Sequence, residues 1–378
     1  MVSGFGSSLI GRFIAAVDQQ ILEHLQLGIQ VAISIDNNQI VNYAHGEARA
    51  GVPMTTDSML TWFSMTKPTV VVAIAQLWEK GELDLDDKVS RFVLDFGAEG
   101  KSEITIRHLL THTGGFRPGD QVTSNAGSAQ ERWHEIVKGI CKTPIEPGWI
   151  PGKRAGYHLT SGMTMLGEIV RKIDGRFFDA YVREEIFLPL GMDDCYVGMP
   201  KKAYESMSHR IGSMHDTSKG VAIVLDTYDS QETLESISPG AGGIGPMNQL
   251  NYFWQMLCGK GTRGNVQILR PPTVEALTAP QRIDLIDETS GTLTRWSLGF
   301  NVDSVAMGGY CSRRTYGHGG SRSSMSFCDP EIGLVVNLLT NGMPGNNRHY
   351  LRFNELSSLI YEDLGFAVDS ARHKLFPK

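Results

Sequence analysis

The segment from Ile29 to Tyr43 constrains the fold most. Ile29 to Ile35 alternates and is rich in β-formers, Asp36-Asn37-Asn38 makes a turn, and Ile40 to Tyr43 returns as a second strand. A two-stranded hairpin is only marginally stable in water, so this one must join a larger sheet. The segments able to complete it lie far away: Trp296 to Val302, Arg314 to Tyr316, Ser324 to Cys328 and Gly333 to Thr340, with Asp329-Pro330 and Asn341-Gly342 as turns. From about Asp84 to Gln281 the chain reads as helical stretches divided by Gly/Pro loops. An amphipathic helix (Leu9, Phe13, Val17, Ile21, Leu25) opens the chain and another, roughly Tyr350 to Leu364, closes it. The simplest arrangement is α+β: one antiparallel sheet built from both chain ends, flanked by helices, with a large and mostly helical insertion. Residues 1–55 and 282–378 are expected to form a discontinuous α/β domain around a helical domain of residues 56–281.

Composition narrows the partners. At 378 residues, with 41% hydrophobic and 20% charged residues, the chain can bury a sizeable core and is not of the disordered type. The net charge is −6 with no run of like charges, which argues against nucleic acid and an anionic membrane and for a small-molecule partner. Five scattered cysteines without a C-x-x-C pair suggest buried, reduced thiols rather than a disulfide framework or a zinc cluster. Arg12 and Asp18 bracket only a short apolar run near the start, and Val70 to Ala75 is too short to span a bilayer, so a soluble cytoplasmic protein is expected.

Ser64-Met65-Thr66-Lys67 is the only S-x-x-K in the chain. Pro68 is tolerated only in a helix's first turn, so Ser64 sits at the N-terminal end of the helix that runs to Lys80 and stops at Gly81. The i, i+3 spacing brings Lys67 within reach of the Ser64 hydroxyl, and first-turn N–H groups point toward negative charge developing there. A serine nucleophile needs a base and oxyanion donors, and this segment offers both. S-x-x-K alone also fits an ordinary helix start. Two further segments add to it: Pro151 to Leu159, before a helix at Gly162 to Ile173, and Tyr316 to Ser321, whose glycine pair before a predicted strand allows close backbone approach.

Together these residues resemble the serine hydrolases of the β-lactamase and penicillin-binding protein fold, specifically the class C-like esterases and acyltransferases. The likeness covers nearly the whole chain: Ser64 to Lys67, Ile104 to Gly115, Pro151-Gly152 with Tyr157, Pro189 to Met192, Gly240 to Gly243, Gly317 to Gly320, Asp329 to Leu334 and Thr340 to Gly342, in order and with matching spacing. The resemblance implies Ser64 as the acyl-forming nucleophile, Lys67 as its base, and Tyr157 as proton shuttle. It implies the backbone N–H groups of Ser64 and Ser321 as oxyanion hole, an active site in the cleft between the two parts, and no cofactor or metal. Where peptidases and lactamases of the family carry Tyr-x-Asn this chain has Leu159, and where they carry Lys-Thr-Gly it has His318-Gly319-Gly320. Loss of the amide and of the fixed cation favours ester or thioester substrates over β-lactams and D-peptides. Transfer of the acyl group to a natural-product hydroxyl or amine, a lactamase or D-peptidase activity, and a silent ligand-binding member are the alternatives.

His318, Gly319, Gly320, Leu159 and Trp149 are candidates to line the substrate pocket. His158 either leans into it or starts the helix facing out. Trp62, Phe63, Phe253 and Trp254 are pocket or core. His108 and His112 have the i, i+4 spacing of helical metal ligands but lack the glutamate of H-E-x-x-H, and read as scaffold. Asp84, Asp86 and Asp87 read as a solvated turn, and Gly240 to Gly245 as a loop near the pocket. The chain has no G-x-S-x-G, which argues against an α/β-hydrolase elbow.

Overall fold

The computed structural model describes residues 2–367. Gly28–Ile35 (β2) and Asn38–Arg49 (β3) form the hairpin, and Val2–Phe5 (β1) adds to its outer edge. Asn301–Val302 (β4), Tyr316–Gly320 (β5), Ser324–Asp329 (β6) and Leu334–Thr340 (β7) complete an antiparallel sheet in the order β1-β3-β2-β7-β6-β5-β4, with Val52–Pro53 paired to β3. The two chain ends meet at its centre, where Ile35 to Ile29 of β2 pair with Leu334 to Thr340 of β7. Both strands are covered on two faces: β7 reads as a nearly continuous apolar run, whereas β2 alternates because Gln30 and Ser34 are buried on its second face, bonded to the Thr55 and Ser58 carbonyls and to Asn251 and Gln255. On one face Ile29, Val31, Ile33, Val336 and Leu338 pack with Phe13 and Val17 of helix Gly11–Leu22 (α1) and with Phe353, Leu356 and Ile360 of the C-terminal helix Asn346–Asp363. On the other, Ala32, Val335 and Leu339 join the larger core that includes Leu250, Phe253 and Trp254 of helix Met247–Cys258.

The fold class is as expected, with four local differences. The second hairpin strand runs well past Tyr43, because β1 and Val52–Pro53 give it partners along its length. Of the expected strand Trp296 to Val302 only Asn301–Val302 joins the sheet; Gly299, at φ +89°, breaks the run. The glycine pair precedes the expected strand β6, but it also lies within a strand of its own, since the strand expected at Arg314 to Tyr316 instead starts at Tyr316 and runs through Gly320 in pairing with β6. The middle of the chain also holds a small sheet, Leu60–Phe63 against Gly243–Gly245 against Tyr196–Val197, whose strands are too short to show a period. No helix among the described residues is long and apolar enough to cross a membrane.

Candidate active site

The site begins with the backbone that delivers Ser64. Leu60–Phe63 is a fully buried strand, and Trp62 locks it by donating its indole N–H to the Gly245 carbonyl at 2.9 Å. Phe63 then turns the chain at φ +52°, ψ −134°, a conformation that costs an L side chain about 1–3 kcal/mol. Thr66 holds that turn: its hydroxyl donates to the Phe63 carbonyl at 2.6 Å and accepts the Gly243 N–H at 2.8 Å. Ser64–Thr66 is a single 3-10 turn, and the α-helix proper (α2) is Lys67–Glu79, so Ser64 stands half-buried on a tight turn at the helix start. Strand β5 abuts this turn. A Cβ on Gly320 would lie 2.2 Å from the Trp62 carbonyl oxygen and 3.2 Å from Phe63 Cβ, so close approach requires glycine there.

Lys67 is fully buried, and its Nζ meets three oxygens: Ser64 Oγ at 2.9 Å, the Leu159 carbonyl at 2.7 Å and the Gly240 carbonyl at 2.8 Å. Burial pushes its pKa down to about 7, against the opposing charge of Asp120. The two carbonyls can only accept, so a neutral amine spends both N–H groups on them and is left with its lone pair toward the Ser64 hydroxyl. The Tyr157 ring centroid lies 4.9 Å from Nζ. Burial raises the Tyr157 phenol well above its ordinary value, and the Ser64 hydroxyl partly offsets that rise.

Two carboxylates from outside the segment hold Tyr157 to Ser161 in place. Asp287 Oδ1 accepts the Tyr157 N–H at 3.1 Å, and Asp287 is itself ion-paired with Arg282 at 3.0 Å, both side chains only 2% exposed. Asp120 accepts the N–H groups of Leu159, Thr160 and Ser161 at 2.8, 3.0 and 2.7 Å, capping helix Ser161–Asp174 (α3). Around Tyr157 stand the rings of His112, Trp296 and His318 at 4.4, 5.8 and 6.3 Å between centroids. His318 donates from Nδ1 to the Gly319 carbonyl at 2.7 Å, and burial, then the Lys67 charge, brings its pKa to about 3. Burial lowers His158 to about 4 and His112 well below its usual value. The wall beside Tyr157 is therefore aromatic and uncharged near neutral pH.

The structure thus brings Ser64, Lys67, Tyr157, His318, Gly319 and Gly320 together from distant parts of the chain. Ser321 opens the exposed turn between β5 and β6, directly after Gly320, which packs against Trp62 and Phe63 just before Ser64. Leu159 exposes 51% of its surface and contributes its carbonyl to Lys67. His158 does not face out: it is buried, with Nδ1 at 2.9 Å from Ser161 Oγ and its ring on Phe116 at 4.3 Å, because the Asp120 cap pulls the helix start inward. Trp149 packs over Gly115 and donates its indole N–H to the Thr113 carbonyl at 2.9 Å. Trp62, Phe253 and Trp254 are core.

Sequence reasoning missed His112, Asp120, Arg282, Asp287 and Trp296, and gave Gly240 no role beyond a nearby loop. In the sequence His112 stands out only by its spacing from His108 and as part of the Ile104 to Gly115 segment. That helix ends at Leu110 and His112 turns away at φ +54°, so the two never share a helix face. Among the described residues no group of three or more His, Cys, Asp or Glu is placed to hold a metal ion.

The sequence profile of the family described as Beta-lactamase matches residues 13–358. The chain belongs to that family, and it is a serine hydrolase of the beta-lactamase fold. Esterase EstB of Burkholderia gladioli is 26% identical over 375 residues, which span 90% of this chain and 93% of EstB. The crystal structure of a family VIII carboxylesterase superposes with a TM-score of 0.81 at 21% identity, covering 96% of this chain and all of that one, 100%. EstCE1, a hydrolase with promiscuous acyltransferase activity, superposes with a TM-score of 0.77 at 20% identity over 93% of this chain and 99% of its own.

Proposed function

We propose that this protein cleaves carboxylic esters or thioesters through an acyl-enzyme on Ser64. The observation that carries the reading is the Lys67 amine, buried, committed to two carbonyls and 2.9 Å from Ser64 Oγ. In the proposed cycle Lys67 takes the Ser64 proton as Oγ attacks the substrate carbonyl. The N–H groups of Ser64 and Ser321 hold the oxyanion, and Tyr157 passes a proton to the departing alcohol or thiol. A second nucleophile, water or an alcohol, then gives its proton back through the same pair and releases the acyl group. The uncharged wall of His112, Trp296 and His318 supports neutral acyl groups over β-lactams, whose carboxylate would find no fixed cation there. The names of EstB and of the carboxylesterase agree with this substrate class.

The test is turnover of p-nitrophenyl butyrate with mass spectrometry of the quenched enzyme. A butyryl adduct on the Ser64 peptide, absent from Ser64→Ala along with turnover, is the expected result; a wild type without adduct or turnover overturns the reading. Nitrocefin should be hydrolysed far more slowly than the ester, and rapid nitrocefin hydrolysis would show that the missing cation and amide do not matter.

A further inference from the structure

The Leu159–Thr160 peptide group joins two ionisable side chains, Lys67 and Asp120. Its C=O accepts from Lys67 Nζ at 2.7 Å, and its N–H donates to Asp120 Oδ1 at 3.0 Å. We propose that Asp120 is a positioning residue for Lys67, acting through this peptide: the carboxylate polarises the amide so that its oxygen is a stronger acceptor, and holds it where the Lys67 amine is steered to Ser64. The proposal rests on the reading of Lys67 as the base.

Cooperative strengthening along such a chain is expected where solvent is excluded. Asp120 is suited to the task on both sides. It is partly buried, and although burial alone would raise its carboxyl, the adjacent His158 and the N–H groups of Ser161 and Thr160 hold it below the usual carboxylate value, so it is ionised throughout the working range. The same carboxylate grips Leu159 N and Ser161 N, which prevents the peptide from rotating its oxygen away from Nζ. The other titratable groups facing Lys67 are Tyr157, whose ring lies under Nζ, and the imidazoles of His112 and His318, all three neutral near pH 7. Asp120 is therefore the charged neighbour that opposes burial and holds the Lys67 pKa up.

The test is an NMR titration of Lys67 in the full chain labelled with [13Cε]lysine, with Lys67→Arg supplying the assignment. Removing the carboxylate charge disfavours the ammonium form, so in Asp120→Asn the Lys67 midpoint should fall by at least about half a pH unit. The acid limb of kcat/KM for p-nitrophenyl butyrate should move down with it. An unchanged midpoint overturns the proposal even if kcat drops. In the wild type, the Thr160 amide proton should shift with the same midpoint as Lys67, which decides the matter should Asp120→Asn not fold; a Thr160 amide that stays still across that range overturns the relay. The titration does not depend on turnover, so a wild type that forms no acyl-Ser64 defeats the reading of Lys67 as base without touching this result.

Discussion

In the proposed cycle Lys67 sets the pH at which the site works. There its amine is neutral when it receives the Ser64 proton, and burial brings its pKa to about 7, so the neutral form grows as pH rises through that value. His112, His158 and His318 are all lowered and stay neutral through the same interval, and the Tyr157 phenol is raised above its ordinary range. The expected profile of kcat/KM is a single ascending limb centred near pH 7, followed by a plateau without a descending limb below about pH 10. Lys67→Ala should lower kcat by about 10²-fold or more and abolish the limb. A limb at the same pH in that variant would assign it to another group. Of these residues, Ser64 and Lys67 were legible in the sequence because their relation is local, three positions apart on one turn. Tyr157 and His318 became legible only through the resemblance of whole segments. Asp120 and Asp287 were not legible at all, since each acts on a backbone that its own neighbours in sequence do not describe.

At the scale of elements, the proposed cycle depends on strand β5 being pressed against the turn that carries Ser64. The Trp62 carbonyl accepts the Ser324 hydroxyl at 3.1 Å, and Gly320 leaves no room between them: an added Cβ would stand 2.2 Å from that carbonyl oxygen and 2.3 Å from Ser324 Oγ. Because backbone on one side and a packed hydroxyl on the other leave little room to yield, Gly320→Ala should push β5 away from Ser64 and with it the Ser321 N–H. The expected effect is a loss of kcat of at least about 10²-fold, the scale of removing one oxyanion donor, with a smaller change in KM. Near-normal kcat in a folded variant would mean that β5 does not set the oxyanion geometry. The glycine pair was visible as a place of close approach, but what approaches it was not, because Trp62 lies on a four-residue strand within the mostly helical middle of the chain. That strand and its partners Gly243–Gly245 and Tyr196–Val197 are too short for alternation to reveal them; their mutual pairing and their burial stabilise them. The long sheet was legible for the opposite reason, since a hairpin at one end of the chain cannot bury its faces without the strands at the other.

At the scale of the molecule, the site and the back of the sheet are separable. Ser64, Lys67 and Tyr157 stand on the side of the larger core, whereas α1 and the C-terminal helix cover the opposite face of the same strands. Phe13 of α1 is fully buried in that second cluster, among Ile29, Val31 and Leu338. Phe13→Ala removes an aromatic side chain from a packed interior and leaves a cavity, which costs about 3–5 kcal/mol. Its neighbours on β2 and β7 present their Phe13 side away from the cleft, so the penalty falls on the stability of the whole fold rather than on the geometry at Ser64. The thermal midpoint should therefore drop by at least about 5 °C, while KM and kcat for p-nitrophenyl butyrate at 25 °C stay within about twofold. If kcat fell by an order of magnitude in a protein still folded at the assay temperature, packing behind the sheet would be transmitted to the nucleophile turn. The central β2–β7 ladder would then couple the two faces rather than insulate one from the other.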